Sequence, residues 1–367
     1  MKLNLIFSQN RITKQTPFVQ DINNINNKKP DNCTYPLKIA RLSLDKQNPH
    51  PLFASTSTPV FKSTSKVVDL RSKLPPAYNQ GNIGSCTANA LCAAYQFLDK
   101  SMGIPSRLFV YYNERDLIET TDEDTNDDSG AYLSDGIACL VKNGVCAEAS
   151  WPYIESNFSV KPSPECYTEA LFHQLINANI IPNNINAMKR VLLSGLPFVT
   201  GISIYNSFES QFVTRTGLVP MPDTMNERDL GGHAVLVCGY NDNIQWYQNR
   251  MVIGRNGAKT IKQVTSSKQK GVWIVRNSWG VNWGAKGYFY LPYPYLLDSN
   301  MASDQWVIDN IEMPLLKPLP VPAPISKVKT NNTTSLFMTI PHRRPAALFA
   351  NRFLADNLVG GGCSCGH

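Results

Sequence analysis

The chain has 367 residues with 43% hydrophobic and 17% charged side chains, which is enough to bury one large hydrophobic core or two smaller ones. No apolar run reaches the roughly 20 residues of a membrane-spanning helix, and residues 3–7 are too few for the apolar region of a secretory signal, so we expect neither a membrane span nor ordinary secretion. The net charge of +7 resides in the two ends, because residues 1–66 carry ten basic and three acidic side chains and residues 314–367 carry six and one.

Residues 67–313, by contrast, hold 19 basic and 24 acidic side chains, and no basic cluster interleaved with aromatic residues stands out. Nucleic-acid binding requires such a clustered basic face, so we expect no nucleic-acid partner. The nine cysteines are irregularly spaced and odd in number, which favours free thiols over a disulfide scaffold.

Residues 1–66 are rich in Asn, Lys, Ser, Thr and Pro and show no sustained hydrophobic periodicity. This composition predicts an extension that is partly disordered or draped over the folded body. Two interpretations stay open, a propeptide-like segment and a flexible leader without an inhibitory role. Globular composition begins at Val67, and we predict the folded domain over residues 67–313.

A helix is predicted over residues 87–100, directly after the segment Gln80-Gly81-Asn82-Ile83-Gly84-Ser85-Cys86, because apolar residues recur there at the spacing of one helix face. We predict that the Ser85 side chain caps this helix by accepting hydrogen bonds from its first amides. Cys86 would then lie at the helix N-terminus, where the helix dipole stabilises a thiolate.

Two further helices and four strands are predicted: helices over 134–142 and 185–194, and strands over 198–204, 233–240, 271–277 and 287–292. Helices therefore dominate the first half and strands the second, which predicts an α+β fold with a groove between the halves. The segment 241–271 has six basic residues and one acidic residue, and Asn256-Gly257 predicts a hairpin turn within it. Either a solvated hairpin or a flap that contacts substrate fits this segment.

The chain after residue 313 is predicted to consist of a proline-rich linker, 314–335, and a tail, 336–367. The tail ends in Cys363, Cys365 and His367, a spacing too tight for an ordinary zinc site. The acidic run 122–128 lacks the Gly and the Glu of a calcium loop and predicts a solvated loop. We therefore expect neither a metal nor an organic cofactor.

Three separated motifs carry chemistry: Cys86 with the segment before it, Gly232-His233-Ala234, and Arg276-Asn277-Ser278-Trp279-Gly280. A thiol becomes a strong nucleophile as a thiolate, and a neighbouring imidazole stabilises that form. An amide side chain can hold the imidazole in one orientation. The motifs thus predict a thiol nucleophile, Cys86, a base, His233, and a residue that orients the base, Asn277.

These motifs resemble those of the papain-like cysteine peptidases, the family that includes the cathepsins. His233 follows Cys86 by 147 residues and Asn277 follows it by 191, since the segment between His and Asn is long here. The glutamine six residues before Cys86 matches the family's oxyanion-hole residue. The resemblance implies a two-subdomain fold and a site made of a triad, an oxyanion-hole residue and two supporting residues: Cys86, His233 and Asn277; Gln80; Trp279 and Ser278.

The sequence departs from the family at two positions beside the nucleophile, where Ile83 replaces a half-cystine and Thr87 replaces a tryptophan. The family's Gly-Cys-x-Gly-Gly block is also replaced, by residues 129–132. Four stretches are similar to those of the divergent bacterial and large-DNA-virus members: 128–131, 144–146, 151–153 and 302–304. This similarity favours an intracellular or virion location and leaves the compartment open.

The resemblance implies a thiol endopeptidase that hydrolyses protein or peptide substrates through an acyl-thioester on Cys86, with His233 as general base. An alternative is a non-catalytic binding or structural protein on a peptidase scaffold, although such relatives normally lose the Cys or the His. Exopeptidase activity would require an occluding element, which we do not identify. The oligomeric state stays open.

Overall fold

The computed structural model describes residues 19–21, 65–117, 125–255, 257–265 and 268–311. The helices are α1 Cys86–Leu98, α2 Arg107–Asp116, α3 Leu133–Lys142, α4 Pro164–Ala170, α5 Ile185–Leu193, α6 Gln211–Thr216 and α7 Tyr293–Leu297. The strands are β1 Val19–Asp21, β2 Val67–Asp69, β3 Leu175–Ile180, β4 Phe198–Tyr205, β5 Asp229–Gln245, β6 Gln248–Ile253, β7 Lys259–Val264, β8 Lys270–Arg276, β9 Tyr288–Pro292 and β10 Ala302–Ile311.

The main sheet is antiparallel and has the strand order β3-β10-β4-β5-β8-β9. Strand β2 pairs with residues 239–241 of β5. Helices α1 to α4 all precede β3, the first strand along this path. The predicted α+β fold, with a helical first half and a strand-rich second half, is confirmed.

The main sheet separates two hydrophobic cores, as the alternation of side chains along β5 demonstrates. Ala234 and Leu236 belong to the core formed with helices α1, α2 and α3. Val235 and Val237 belong to the opposite core, which β4, β8, β9 and helix α5 complete. Because β5 is buried on both faces, its sequence is a continuous apolar run rather than an alternating one.

The predicted helices match α1, α3 and α5, whereas α2, α4, α6 and α7 were not predicted. In α2 the buried residues include four polar ones, so the sequence shows no apolar stripe: Arg107, Asn113, Glu114 and Arg115. A cap residue does mark its start, since the Ser106 hydroxyl accepts a hydrogen bond of 3.2 Å from the Phe109 amide. Burial of charged groups on all sides conceals the helical period that sequence reasoning depends on.

The basic segment 241–271 contains the predicted hairpin, formed by β6 and β7. Gly257 lies in its turn with φ of 79°, a left-handed conformation that favours glycine. A third strand, β1 from the N-terminal extension, pairs antiparallel with β7, so part of this extension joins the hairpin. The hairpin is therefore the edge on which residues 19–21 are bound.

Other predictions fall outside the described residues: most of the extension 1–66, the linker 314–335, and the tail 336–367 with its Cys and His residues. Within the described ranges, none of the helices is long and apolar enough to cross a membrane. The six cysteines that these ranges include are free thiols: Cys86, Cys92, Cys139, Cys146, Cys166 and Cys238.

Candidate active site

Cys86 is the first residue of α1 and is completely buried. The predicted side-chain cap by Ser85 is wrong, because the Ser85 hydroxyl makes no hydrogen bond to an amide of the first turn. That hydroxyl instead contacts the Tyr153 hydroxyl at 2.6 Å and accepts a hydrogen bond of 3.0 Å from the Asn89 side chain. The amides at the start of α1 are thus left without a serine cap, and Cys86 lies next to them.

His233 lies on β5 and Asn277 lies just after β8, which pairs with β5. The His233 Nε2 is 2.8 Å from the Asn277 Oδ1. The Ser278 amide donates to the same Oδ1 at 2.8 Å, which identifies this atom as an acceptor. Nε2 therefore carries a hydrogen, and Nδ1 is the nitrogen that can accept a proton when the ring is neutral.

Burial lowers the pKa of His233 to about 4, against an opposing effect of its hydrogen bond with Asn277. At neutral pH the isolated ring is therefore uncharged. A proton on His233 becomes favourable only when a negative charge forms beside it, so we expect this histidine to titrate together with a neighbouring anionic group.

Trp279 covers the His233 ring, with ring centroids 5.0 Å apart and an angle of 33° between the planes. Trp279 is itself fixed by edge-on contacts with Trp283 at 5.0 Å and with Phe208 at 5.7 Å. These aromatic contacts limit the access of water to the His233–Asn277 hydrogen bond, and they hold the imidazole plane in place.

Gln80 and Ser278 contact each other directly. The backbone amide of Gln80 donates to the Ser278 carbonyl at 2.8 Å, and the Ser278 hydroxyl donates to the side-chain oxygen of Gln80, Oε1, at 2.5 Å. The Gln80 Nε2 donates one hydrogen to the Ile83 carbonyl at 3.0 Å. Because a side-chain amide has two N–H groups, this fixed group keeps a second donor.

Two carboxylates that sequence reasoning did not assign to the site hold the backbone on either side of Ile83. Glu155 accepts a hydrogen bond of 3.0 Å from the Asn82 amide, and Asp128 accepts one of 2.8 Å from the Gly84 amide. The acidic run was predicted to be solvated, which is wrong for Asp128, since it also accepts a hydrogen bond from the Tyr111 hydroxyl. Hydrogen bonds to two carboxyl groups thus hold the residues on either side of Ile83, the position where the family pattern has a half-cystine.

The predicted site residues fall into two contacting groups, Gln80 with Ser278, and His233 with Asn277 and Trp279. The second group adjoins the first through the continuous chain 277–279. Cys86 follows Gln80 by six residues, and α1 packs on β5, the strand that carries His233. Within the described ranges, no cluster of three or more His, Cys, Asp or Glu side chains is arranged to hold a metal ion.

Comparison with known proteins places these residues in a family. A family model described as papain family cysteine protease matches residues 64–303. An uncharacterized peptidase C1-like protein of Acanthamoeba polyphaga mimivirus is 38% identical over 298 residues, which cover 74% of this chain and 86% of that protein. Procathepsin L of Rattus norvegicus is 27% identical, and the match covers 63% of this chain and 61% of that protein.

Among solved structures, xylellain, a cysteine protease from Xylella fastidiosa, is 34% identical with a TM-score of 0.58, and the match covers 76% of this chain and 95% of that one. The bacterial and viral relatives confirm the divergent type that residues 128–131, 144–146, 151–153 and 302–304 indicated. The chain therefore belongs to the papain family and is a cysteine peptidase.

Proposed function

We propose that this peptidase cleaves internal peptide bonds of proteins through an acyl-thioester on Cys86, with His233 as general base. The observation that carries the proposal is the hydrogen bond between His233 and Asn277, because it directs Nδ1 away from Asn277 and leaves it as the proton acceptor. The location of Cys86 at the start of α1 supports its assignment as the nucleophile, since a helix N-terminus stabilises a thiolate.

In the first half-reaction, His233 takes the thiol proton and the Cys86 sulfur attacks the carbonyl carbon of the substrate. The second Nε2 hydrogen of Gln80 and the Cys86 amide then stabilise the negative charge on the carbonyl oxygen, and one such donor typically contributes about 3–4 kcal/mol. Collapse of this intermediate breaks the C–N bond, and the imidazolium gives its proton to the leaving amine.

In the second half-reaction, neutral His233 removes a proton from water, which attacks the acyl-thioester. The carbon–sulfur bond breaks, the acid product leaves, and the proton that His233 took from water either stays on the imidazolium beside the thiolate or passes to the sulfur. The lowered pKa of His233 suits both halves, because the ring is neutral whenever no thiolate lies beside it. Asn277 and Trp279 have supporting roles, since they fix and shield this ring.

Labelling with a thiol-directed peptidyl epoxide tests the enzyme against the non-catalytic alternative. We expect one label per chain on Cys86, loss of the label in Cys86→Ala, and slow labelling in His233→Ala, with parallel loss of cleavage of a denatured protein substrate. Cys92→Ala is the matched control, because burial raises the pKa of Cys92 well above its ordinary value and makes that thiol unreactive. Wild-type protein that neither labels nor cleaves would favour the binding-protein interpretation.

We also propose that residues 67–313 form the peptidase domain and that the basic extension 1–66 restrains access to it. Cys86 and His233 are 0% and 1% exposed, which supports a site to which access is restricted. The pairing of β1 with β7 supports an extension that binds the domain.

If the extension restrains access, residues 67–367 alone should react faster with iodoacetamide at Cys86 than the full chain does. The difference should shrink as salt rises from about 20 to about 300 mM, because attraction between a basic extension and an acidic domain is screened. Comparable melting temperatures would show that the shortened chain is folded. Equal rates at both salt concentrations would contradict the restraint.

A further inference from the structure

The segment from Gln80 to Cys86, which we call the nucleophile loop, is joined at its two ends by one tyrosine. The Tyr153 hydroxyl donates to the Gln80 carbonyl at 2.8 Å and contacts the Ser85 hydroxyl at 2.6 Å. A phenol has one proton, which the carbonyl receives, so the Ser85 hydroxyl donates in the second bond. Tyr153 thus fixes the distance between the residue that bears the oxyanion donor and the residue before the nucleophile.

Tyr153 is itself held by a buried ion pair. The Arg107 guanidinium lies over its ring, 3.8 Å from the centroid, and is only 7% exposed as a residue. Arg107 donates to both Glu148 carboxylate oxygens at 2.8 Å, a bidentate arrangement that fixes its plane. The ring of Tyr153 therefore lies on a rigid, charged support.

The same guanidinium contacts the nucleophile loop from a second direction. The Arg107 Nη1 donates at 3.1 Å to the Asn79 carbonyl, next to Gln80, and at 3.1 Å to the Asn89 side chain. Asn89 in turn donates to the Ser85 carbonyl at 2.8 Å. Both ends of the loop are thus connected to Arg107, directly or through one intermediate side chain.

We propose that Tyr153, supported by the Arg107–Glu148 ion pair, is a positioning residue for the oxyanion hole. The inference rests on the proposed function. Two donors, the Gln80 side chain and the Cys86 amide, must converge on one oxygen, and small displacements of such groups reduce catalysis strongly. Tyr153 binds the chain at both donors' ends, and burial raises the pKa of its hydroxyl to about 12, so the hydroxyl stays protonated and able to donate at neutral pH.

The test compares Tyr153→Phe with Tyr167→Phe, a matched control. Tyr167 lies on α4, and its hydroxyl donates to Asn113 at 2.9 Å; among the described residues no hydrogen bond joins it to the nucleophile loop. Tyr153→Phe keeps the ring over Arg107 and removes only the hydroxyl. We expect kcat to fall about 10- to 100-fold with little change in KM, and the affinity for a peptide aldehyde, which binds as a tetrahedral hemithioacetal, to fall in parallel. The rate of alkylation by iodoacetamide, which needs no oxyanion hole, should change less than about twofold.

A double-variant cycle identifies the route of the effect. If Tyr153 acts through Gln80, then Tyr153→Phe should lower kcat less than about threefold in a Gln80→Ala background. A full additional loss there, or kinetics of Tyr153→Phe equal to those of Tyr167→Phe, would overturn the proposal. Ser85→Ala removes the other bond and should give the same pattern if Tyr153→Phe does not fold. Wild-type protein without peptidase activity or thiol reactivity would instead refute the proposed function.

Discussion

Replacing Cys86 with serine is expected to reduce peptide hydrolysis by about 10⁴- to 10⁶-fold, and His233→Gln should have an effect of similar size. A serine hydroxyl holds its proton far more tightly than a thiol does. The base offered by His233 is weak, because burial lowers its pKa to about 4. Transfer of the proton from serine to this ring is therefore strongly unfavourable, whereas a thiolate forms readily and stabilises the imidazolium.

The two substitutions should not add, since either one removes the same proton transfer. We expect the double variant Cys86→Ser/His233→Gln to hydrolyse peptide at most about threefold more slowly than the slower of the two single variants. Initial rates on a quenched fluorescent peptide measure this, with Cys92→Ser as a control for loss of a buried thiol on the same helix. A Cys86→Ser variant that retains a tenth of the wild-type rate would rule out the thiolate mechanism.

The sequence was sufficient to predict the fold class and most elements around the site. The strand that bears His233 contains a continuous apolar run, 234–238, and α1 has the apolar residues Leu91, Tyr95 and Leu98 at helical spacing, so both patterns are local. Helix α2 was missed because its charged residues are buried and paired with distant partners such as Glu148. Arg107 is buried because it pairs with Glu148, 41 residues further along the chain. The residues of α2 alone cannot reveal such a partner, so a pattern read within the helix does not predict the burial.

The site residues were predicted from motif spacing, which identified which side chains meet and not what holds them. The carboxylates at Asp128 and Glu155 looked like solvated charges, and Ser85 looked like a helix cap. Their actual partners are amides and hydroxyls brought together by tertiary structure. The sequence shows that Ile83 stands where the family pattern has a half-cystine. It does not show that Glu155 and Asp128 accept hydrogen bonds from the amides on either side of that residue.

Glu114 is one of the polar residues of α2 that are buried. It is completely buried, and its Oε1 accepts a hydrogen bond from the Thr87 hydroxyl, one residue after Cys86. Within the described ranges, its Oε2 has no hydrogen-bond partner. Burial raises the pKa of Glu114 to about 8, the Thr87 hydrogen bond opposes this, and the charge of Asp135 adds to it. The Glu114 carboxyl therefore contacts Thr87, the residue at which the sequence departs from the tryptophan of the family pattern.

Replacing Glu114 with glutamine is expected to stabilise the protein at alkaline pH by much more than near pH 5. The carboxyl is protonated in the folded chain up to about pH 8, whereas in the unfolded chain it ionises near 4.3. The folded state therefore keeps its full stability below the lower value and loses stability as pH rises through the upper one. The loss amounts to about 3–5 kcal/mol once both states are ionised, and glutamine avoids it.

Urea unfolding at about pH 5, 7 and 9 should give a difference in unfolding free energy between variant and wild type that grows with pH. The control Glu165→Gln, on the surface, should give a difference that does not grow with pH. A difference that is constant across this range would mean that Glu114 is ionised in the folded protein, and that the start of α1 carries a fixed negative charge beside Cys86.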